Sequence, residues 1–248
     1  MIEVLYYDRK GIYKTLAESL VIGGLPMRTD NFTGRDLEKE IEEVTDYIDC
    51  LDTFKDILVK AKGENGREYL TIENGGVSCE KEMVRLGKYY RRGKALGQVE
   101  SGSGHNSLYK GITFNMVIKF PLYWLKQYQR YHFTDIVSSQ STMHKILEFD
   151  LSTMFTEEVD PRCIEILNDL KEQYNNETDK NKKKEIWRKI INSTPDGLHM
   201  CMGIQMNYLQ AVSMYHQRKN HKLEEWRVFC EFLYELPLFK YLLIREEK

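Results

Sequence analysis

Residues 112–131 change period in mid-run, which calls for a strand and a helix in immediate succession within one core. Ile112 to Phe120 reads ITFNMVIKF, strongly β in character, and leads straight into Pro121. From there Trp124, Leu125, Tyr128 and Tyr131 recur at helical spacing, so Leu122 to Tyr131 is predicted to be a half-buried helix. Gln127 and Arg130 stand three apart on it and can address one ligand together. Thr134, Asp135, Ser138, Ser139, Gln140, Ser141 and Thr142 follow as a cluster of small donors and acceptors. A planar guanidinium beside hydroxyls and backbone N–H groups suits a phosphate or a heterocycle. The same residues also read as a helix, a polar turn and a new helix capped by Ser141.

With 248 residues, 42% hydrophobic and 30% charged, the chain has enough apolar side chains for a sizeable core, which argues against disorder. A net charge of −2 creates no basic field, so nucleic acid is not an expected partner. Cys50, Cys79, Cys163, Cys201 and Cys230 are scattered without a C-x-x-C pair. That pattern suits a reducing, intracellular setting and suggests no zinc site. MIEVLYYDRK reads as a strand, not a signal peptide, and no apolar run approaches a membrane span. The expectation is a soluble, cytoplasmic protein.

In chain order, Ile2 to Tyr7 is a predicted strand and Gly11 to Leu20 a helix ended by Gly23-Gly24 and Pro26. Asp36 to Lys62 carries an apolar stripe from Leu37 to Leu58 and predicts one long helix, stopped by Gly63-Glu-Asn-Gly66. Glu68 to Glu73 alternates as a strand, Gly75-Gly76 is a turn, and Cys79 to Arg92 is a helix. Its closing run Tyr89-Tyr90-Arg91-Arg92 is either a phosphate contact or a solvated helix end, the latter preferred. GSGHNS, from Gly102 to Ser107, can present backbone N–H groups to an anion, but lacks the lysine of a P-loop and the dinucleotide glycine spacing. Lys145 to Phe155 is predicted as a mixed helix, Pro161 to Ile191 as two charged helices joined at Asn175 to Lys184, Leu198 to Met206 as a strand. Tyr208 to Gln217 and Glu224 to Leu236 are predicted helices, the last stopped by Pro237. No linker marks a second domain, so residues 1–248 are expected to form one, with a helical excursion at about 161–192.

Within this order, Gly104-His105-Asn106-Ser107-Leu108-Tyr109, Ile112-Thr113-Phe114, Pro121, Gln127 and Arg130 resemble the flavin-dependent thymidylate synthases. That family has a glycine-histidine-x-Ser/Thr turn, a Thr-Phe strand segment, a proline, a glutamine, an Arg-His-Arg motif and a serine; Gly104 to Arg130 keeps its spacing. Pro195, Asn207 and Arg218 stand at the intervals of a second family block. The resemblance implies an α/β (α+β) fold with an antiparallel sheet core flanked by helices. It implies a homotetramer with FAD across subunit interfaces, and reductive methylation of dUMP using methylenetetrahydrofolate and NADPH. No cysteine nucleophile is then required, and FAD carries the difficult chemistry. By resemblance Gln127 sits beside the nucleotide, Arg130 meets nucleotide or flavin phosphate, Ser107 and Asn207 contact FAD, and Arg218 faces the pyrimidine. His132 and Ser141 would serve in catalysis, His132 also touching the flavin and Ser141 the substrate.

The chain departs from the pattern after Arg130, where Tyr131-His132-Phe133 stands in place of His-Arg. Either Tyr131 replaces the histidine and His132 the arginine, or one residue is inserted and His132 keeps its role. The insertion brings Ser141 into register but leaves Met143 at a phosphate-binding arginine position and Ser139 at a glutamate position. Lys110-Gly111 replaces Glu-His, and Ile191 stands at another arginine position, with Arg188 and Lys189 nearby. Each charge-assisted phosphate contact is worth about 1.5–3 kcal/mol, so these losses also admit a homologue that binds nucleotide, or a protein partner, without turnover. His216 and His221 are i,i+5 and diverge on a helix, so no metal is expected there with Glu224. Met200, Met202, Met206 and Met214 read as core filling, and Ser141 lacks the His-Asp partners of a hydrolase.

Overall fold

A computed structural model describes residues 1–23, 33–63, 66–73, 77–99 and 104–245. Parts of the predicted turns at Gly24, Pro26, Glu64-Asn65, Gly75-Gly76 and Gly102-Ser103 lie outside them. The elements run β1 (Glu3–Tyr7), α1 (Arg9–Glu18), α2 (Leu37–Thr53), β2 (Leu58–Lys62), β3 (Glu68–Ile72), α3 (Val77–Gly97), β4 (Thr113–Pro121) and α4 (Leu122–Tyr128). They continue as β5 (Asp135–Ser139), α5 (Thr142–Lys145), α6 (Pro161–Asn176), α7 (Lys180–Ser193), β6 (His199–Asn207), α8 (Tyr208–Arg218), α9 (Glu224–Tyr234) and α10 (Phe239–Leu243).

The chain divides into two compact units, one of Met1–Tyr6, Met116–Ile204 and Leu223–Glu225, the other of Tyr7–Asn115, Gln205–Lys222 and Trp226–Lys248. Strands lie in the order β1-β4-β6-β5. In the first unit, Leu122 N–H donates to Leu198 O (3.0 Å) and Gln140 N–H to Cys201 O (2.9 Å). A Cβ placed on Gly203 would lie 3.9 Å from Ser138 N, across from it in the sheet. In the second, Asp8 N–H reaches Asn115 O (2.9 Å) and Tyr208 N–H reaches Ile112 O (3.0 Å). In each pair the end of one strand meets the start of its neighbour, so adjacent strands are antiparallel. The fold is mixed α/β, an antiparallel sheet flanked by helices.

Alternation along β4 buries Phe114, Met116, Ile118 and Phe120, and along β6 Met200, Met202, Ile204 and Met206. The methionines are core, as their spacing predicts. In the first unit α6 and α7 form the charged helical hairpin. Asp160 caps α6 ahead of Pro161, and Asp179 caps α7 by accepting from Asn181 and Lys182 N–H, both at 2.9 Å.

Three expectations are corrected. The stripe from Leu37 does not carry a helix to Lys62: α2 ends at Thr53, and Leu58–Lys62 pairs antiparallel with Glu68–Ile72 in register Leu58↔Ile72 to Lys62↔Glu68. Leu-Val-Lys-Ala-Lys fits both periods, and a partner strand supplying ladder hydrogen bonds decides between them. The mixed helix from Lys145 to Phe155 is one short helix ending at Lys145, then turns. Asp150 accepts from Ser152 N–H (3.1 Å) and Oγ–H (2.6 Å), an Asx turn that competes with helix. Finally, the run Tyr89–Arg92 is not a solvated helix end, because Tyr89 and Tyr90 are buried. Tyr90 and Lys94 both bond Glu68, and Arg91 donates to the Glu68 carbonyl at 3.0 Å.

Candidate functional site

Pro121 closes β4 and stands as N-cap of α4, where its missing N–H costs nothing. Trp124 and Tyr128 face inward, leaving Gln127 half-buried and Arg130 exposed past the helix end. Arg130 N–H donates to Gln127 O (3.3 Å) and Tyr131 N–H to Tyr128 O (3.0 Å), so the chain turns here and keeps Gln127 and Arg130 at one end of α4. Tyr131 is half-buried and His132 exposed. Phe133 adopts φ 64° and is 80% exposed, a left-handed corner that a bulky residue takes only at a cost of about 1–3 kcal/mol. β5 then begins, and Ser141 follows it, with its carbonyl accepting from Lys145 N–H at 3.1 Å. The strand separates His132 from Ser141 by its whole length, roughly 17 Å of extended chain. Gln127, Arg130 and His132 thus follow one another through the helix end and the corner, while Ser141 lies beyond β5.

In the second unit, Ser107 lies exposed on a 3₁₀ turn, His105–Lys110, entered through Gly104 at φ 76°. Its hydroxyl donates to Gly104 O at 2.8 Å. Asn207 caps α8, Oδ1 accepting from Gln210 N–H at 2.9 Å, so the side chain holds the helix start. Arg218 ends α8 with its guanidinium 4.9 Å from the Trp226 ring centroid. Cys50, Cys163, Cys201 and Cys230 are not joined in disulfides among the described residues, and burial pushes the Cys230 thiol up to about 12. Among the described residues no group of three or more His, Cys, Asp or Glu is placed to hold a metal. None of their helices is long and apolar enough to cross a membrane.

One polar set in the first unit escaped the sequence reading. Tyr123 Oη–H donates to Glu225 Oε1 at 2.5 Å, with Glu225 buried. His199, at the start of β6, is 9% exposed. Its Nε2 lies 3.4 Å from the Met1 amino group, and Nδ1 has no hydrogen-bond partner among the described residues. Burial above all, then the Met1 amino group and Lys119, lower its pKa, against Glu225 and Glu158. The folded state therefore prefers neutral imidazole. The stability this contributes is complete above the unfolded value near 6.5 and is lost as pH falls through it toward the lower folded value. Urea denaturation at pH 7.5 and 5.5 should show a loss on acidification that is smaller in His199→Asn; an identical loss would assign the proton elsewhere. The only sequence trace of this set was polar residues at positions that a strand and helix period place inward, a pattern many buried hydrogen-bonded residues share.

Among known proteins, no family model matches the chain, and no curated protein does. Among solved structures it is similar to thymidylate synthase X (ThyX) from Helicobacter pylori with FAD and dUMP, at 13% identity, covering 98% of this chain and 96% of that one, with a TM-score of 0.49. A second structure, flavin-dependent thymidylate synthase ThyX from Helicobacter pylori complexed with FAD and dUMP, gives 11% identity, 98% and 97% coverage and a TM-score of 0.48. Likeness at this level assigns no function, and the fold class stands on the strand order and pairing described above.

Proposed function

We propose that the chain is a divergent flavin-dependent thymidylate synthase-like enzyme. It binds FAD and dUMP and, with methylenetetrahydrofolate and NADPH as co-substrates, reductively methylates C5 of the pyrimidine, as a cytoplasmic homotetramer. The observation that carries this reading is the order of residues along one continuous path: a Thr-Phe strand start, a proline closing the strand, and Gln127 and Arg130 at the end of the helix it opens. The residues fit such ligands: the exposed Arg130 guanidinium suits a phosphate, and the Gln127 amide a donor–acceptor ring edge. Bound FAD, once reduced by NADPH, would supply the hydride that turns a transferred methylene into a methyl group. Arg130 would anchor the anion, Gln127 orient the ring, and the exposed His132 donate or accept a proton. By the resemblance Ser141 would contact substrate in a different subunit's site from His132, and Arg218 the pyrimidine; Ser107 and the Asn207 amide nitrogen would contact cofactor.

The second reading is a homologue that binds nucleotide without turnover. It is favoured by Tyr131-His132-Phe133 in place of His-Arg, and by the side-chain bonds already made by Ser107 and Asn207. The test is the visible spectrum of the purified chain with FAD, then with dUMP, followed by tritium release from C5-labelled dUMP. A flavin spectrum perturbed by dUMP together with tritium release supports the enzyme; binding without release supports the second reading; a chain that refuses both ligands removes both. Arg130→Gln is expected to weaken dUMP binding about tenfold or more, the loss of one charge-assisted contact.

A further inference from the structure

β5 (Asp135–Ser139) is the last strand in the order β1-β4-β6-β5, and no further strand lies beyond it among the described residues. Every residue of β5 is exposed. Val137 is 67% exposed, and Ile136, Phe133 just before the strand and Met143 just after it are exposed as well. Lysines, prolines or a covering element ordinarily guard such an edge; Asp-Ile-Val-Ser-Ser has neither lysine nor proline, and Asp135 is its one charge. The opposite edge is better covered. Val4 and Tyr7 of β1 are half-buried, Tyr7 edge-on to the Phe232 ring at 5.3 Å between centroids.

Pairing with β6 fixes which way the backbone of β5 points. Gln140 N–H donates to Cys201 O at 2.9 Å, and Ser138 stands across from Gly203. In an antiparallel ladder alternate residues turn both N–H and C=O toward the same neighbour. Ser138 and Gln140 therefore face β6, while Asp135, Val137 and Ser139 turn theirs to the open edge.

We infer that β5 is the interface with a second copy of this chain, the two strands pairing antiparallel about a two-fold axis at Val137. In that register Val137 meets Val137 of the copy, and Asp135 meets Ser139 of the copy. The outward-facing residues then exchange about six backbone hydrogen bonds. The single carboxylate of the strand faces a hydroxyl and never its twin, so no like-charge pair opposes assembly. Antiparallel pairing also sets the Phe133 end of one strand against the Met143 end of the other, an aromatic and a thioether at each end. This self-complementarity favours a second copy over an unrelated strand. A chain that assembles through β5 yet refuses FAD keeps this interface, which rests on strand geometry and not on the flavin reading; one that binds FAD as a monomer lacks it.

The test is sedimentation equilibrium of the full chain and of variants on β5, with circular dichroism recorded on each. Wild type is expected to self-associate. Val137→Pro removes an outward N–H while sparing the bonds to β6, and should raise the dissociation constant about tenfold or more with the spectrum unchanged. Ser139→Asp sets a second carboxylate opposite Asp135 at both ends and should weaken assembly about fivefold or more, whereas Ser139→Lys should not weaken it. Should Val137→Pro fail to fold, Val137→Cys decides: the two thiols sit on Cα atoms about 5.5 Å apart and should cross-link copies on mild oxidation, which wild type and Ile136→Cys should not. A monomeric wild type, wild-type assembly in both Val137→Pro and Ser139→Asp, or a Val137→Cys chain that cross-links no more than Ile136→Cys would overturn the interface.

Discussion

Trp124→Ala is expected to cost about 3–5 kcal/mol of stability, the range for emptying a buried indole site. Trp124 is fully buried in the first unit, stacked on Tyr128 at 4.9 Å between centroids and tilted against Phe120 at 5.7 Å. The three rings tie the end of β4 to both turns of α4, so the cavity cannot close without moving the helix. For a chain of this size the thermal midpoint should fall by roughly 10 °C. Trp124→Phe keeps an aromatic in the stack and should lose less than half as much. Because α4 ends at Gln127 and Arg130, Trp124→Ala should also weaken whatever ligand those residues hold, without altering any group that touches it. Urea denaturation of both variants checks the stability claim; a loss under about 1 kcal/mol for Trp124→Ala would mean that the ring stack does not fix α4.

Asp52→Ala should be the next largest loss, about 2–3 kcal/mol, in the second unit. The carboxylate, 4% exposed, accepts at Oδ2 from Arg9 Nε and Tyr13 Oη, both at 2.6 Å, with Arg9 Nη2 also at 2.6 Å. Tyr13 is pushed up by burial and then by this bond, so its phenol stays a donor at any ordinary pH. Truncating Asp52 strands a buried hydroxyl and a guanidinium. The guanidinium is 44% exposed and recovers part of its solvation, which keeps the loss below the 3–5 kcal/mol typical of a broken buried pair. A double-mutant cycle with Arg9→Met isolates the pair: the double variant should be less destabilised than the sum of the singles by about 1–2 kcal/mol. Additive losses would show that Asp52 acts through Tyr13 and packing alone.

Much of the local structure was legible because it rests on short-range physics. β4 and β6 alternate, α4 and α8 repeat at helical spacing, and Pro161 to Ile191 forms two helices joined within Asn175 to Lys184. Gln127 and Arg130 were expected three apart on one helix from Leu122 to Tyr131, but that helix ends at Tyr128 and Arg130 lies in the turn beyond it.

What the sequence alone could not settle lies where two local readings were equally good. Leu58–Lys62 fits a helix or a strand, and only its partner β3 makes it a strand. Asp135–Ser139 reads as a polar turn; pairing with β6 makes it β5 although every side chain on it is exposed. That strand holds His132 and Ser141 apart, which no spacing rule disclosed. The basic run at the end of α3 looked like a solvated terminus because its charges were visible and its burial was not. Periodicity and capping are properties of neighbours in the chain, so the amino-acid order determined them. Which strand finds a partner, and which charges share one carboxylate, depends on residues far apart in sequence, and only the tertiary structure decided those.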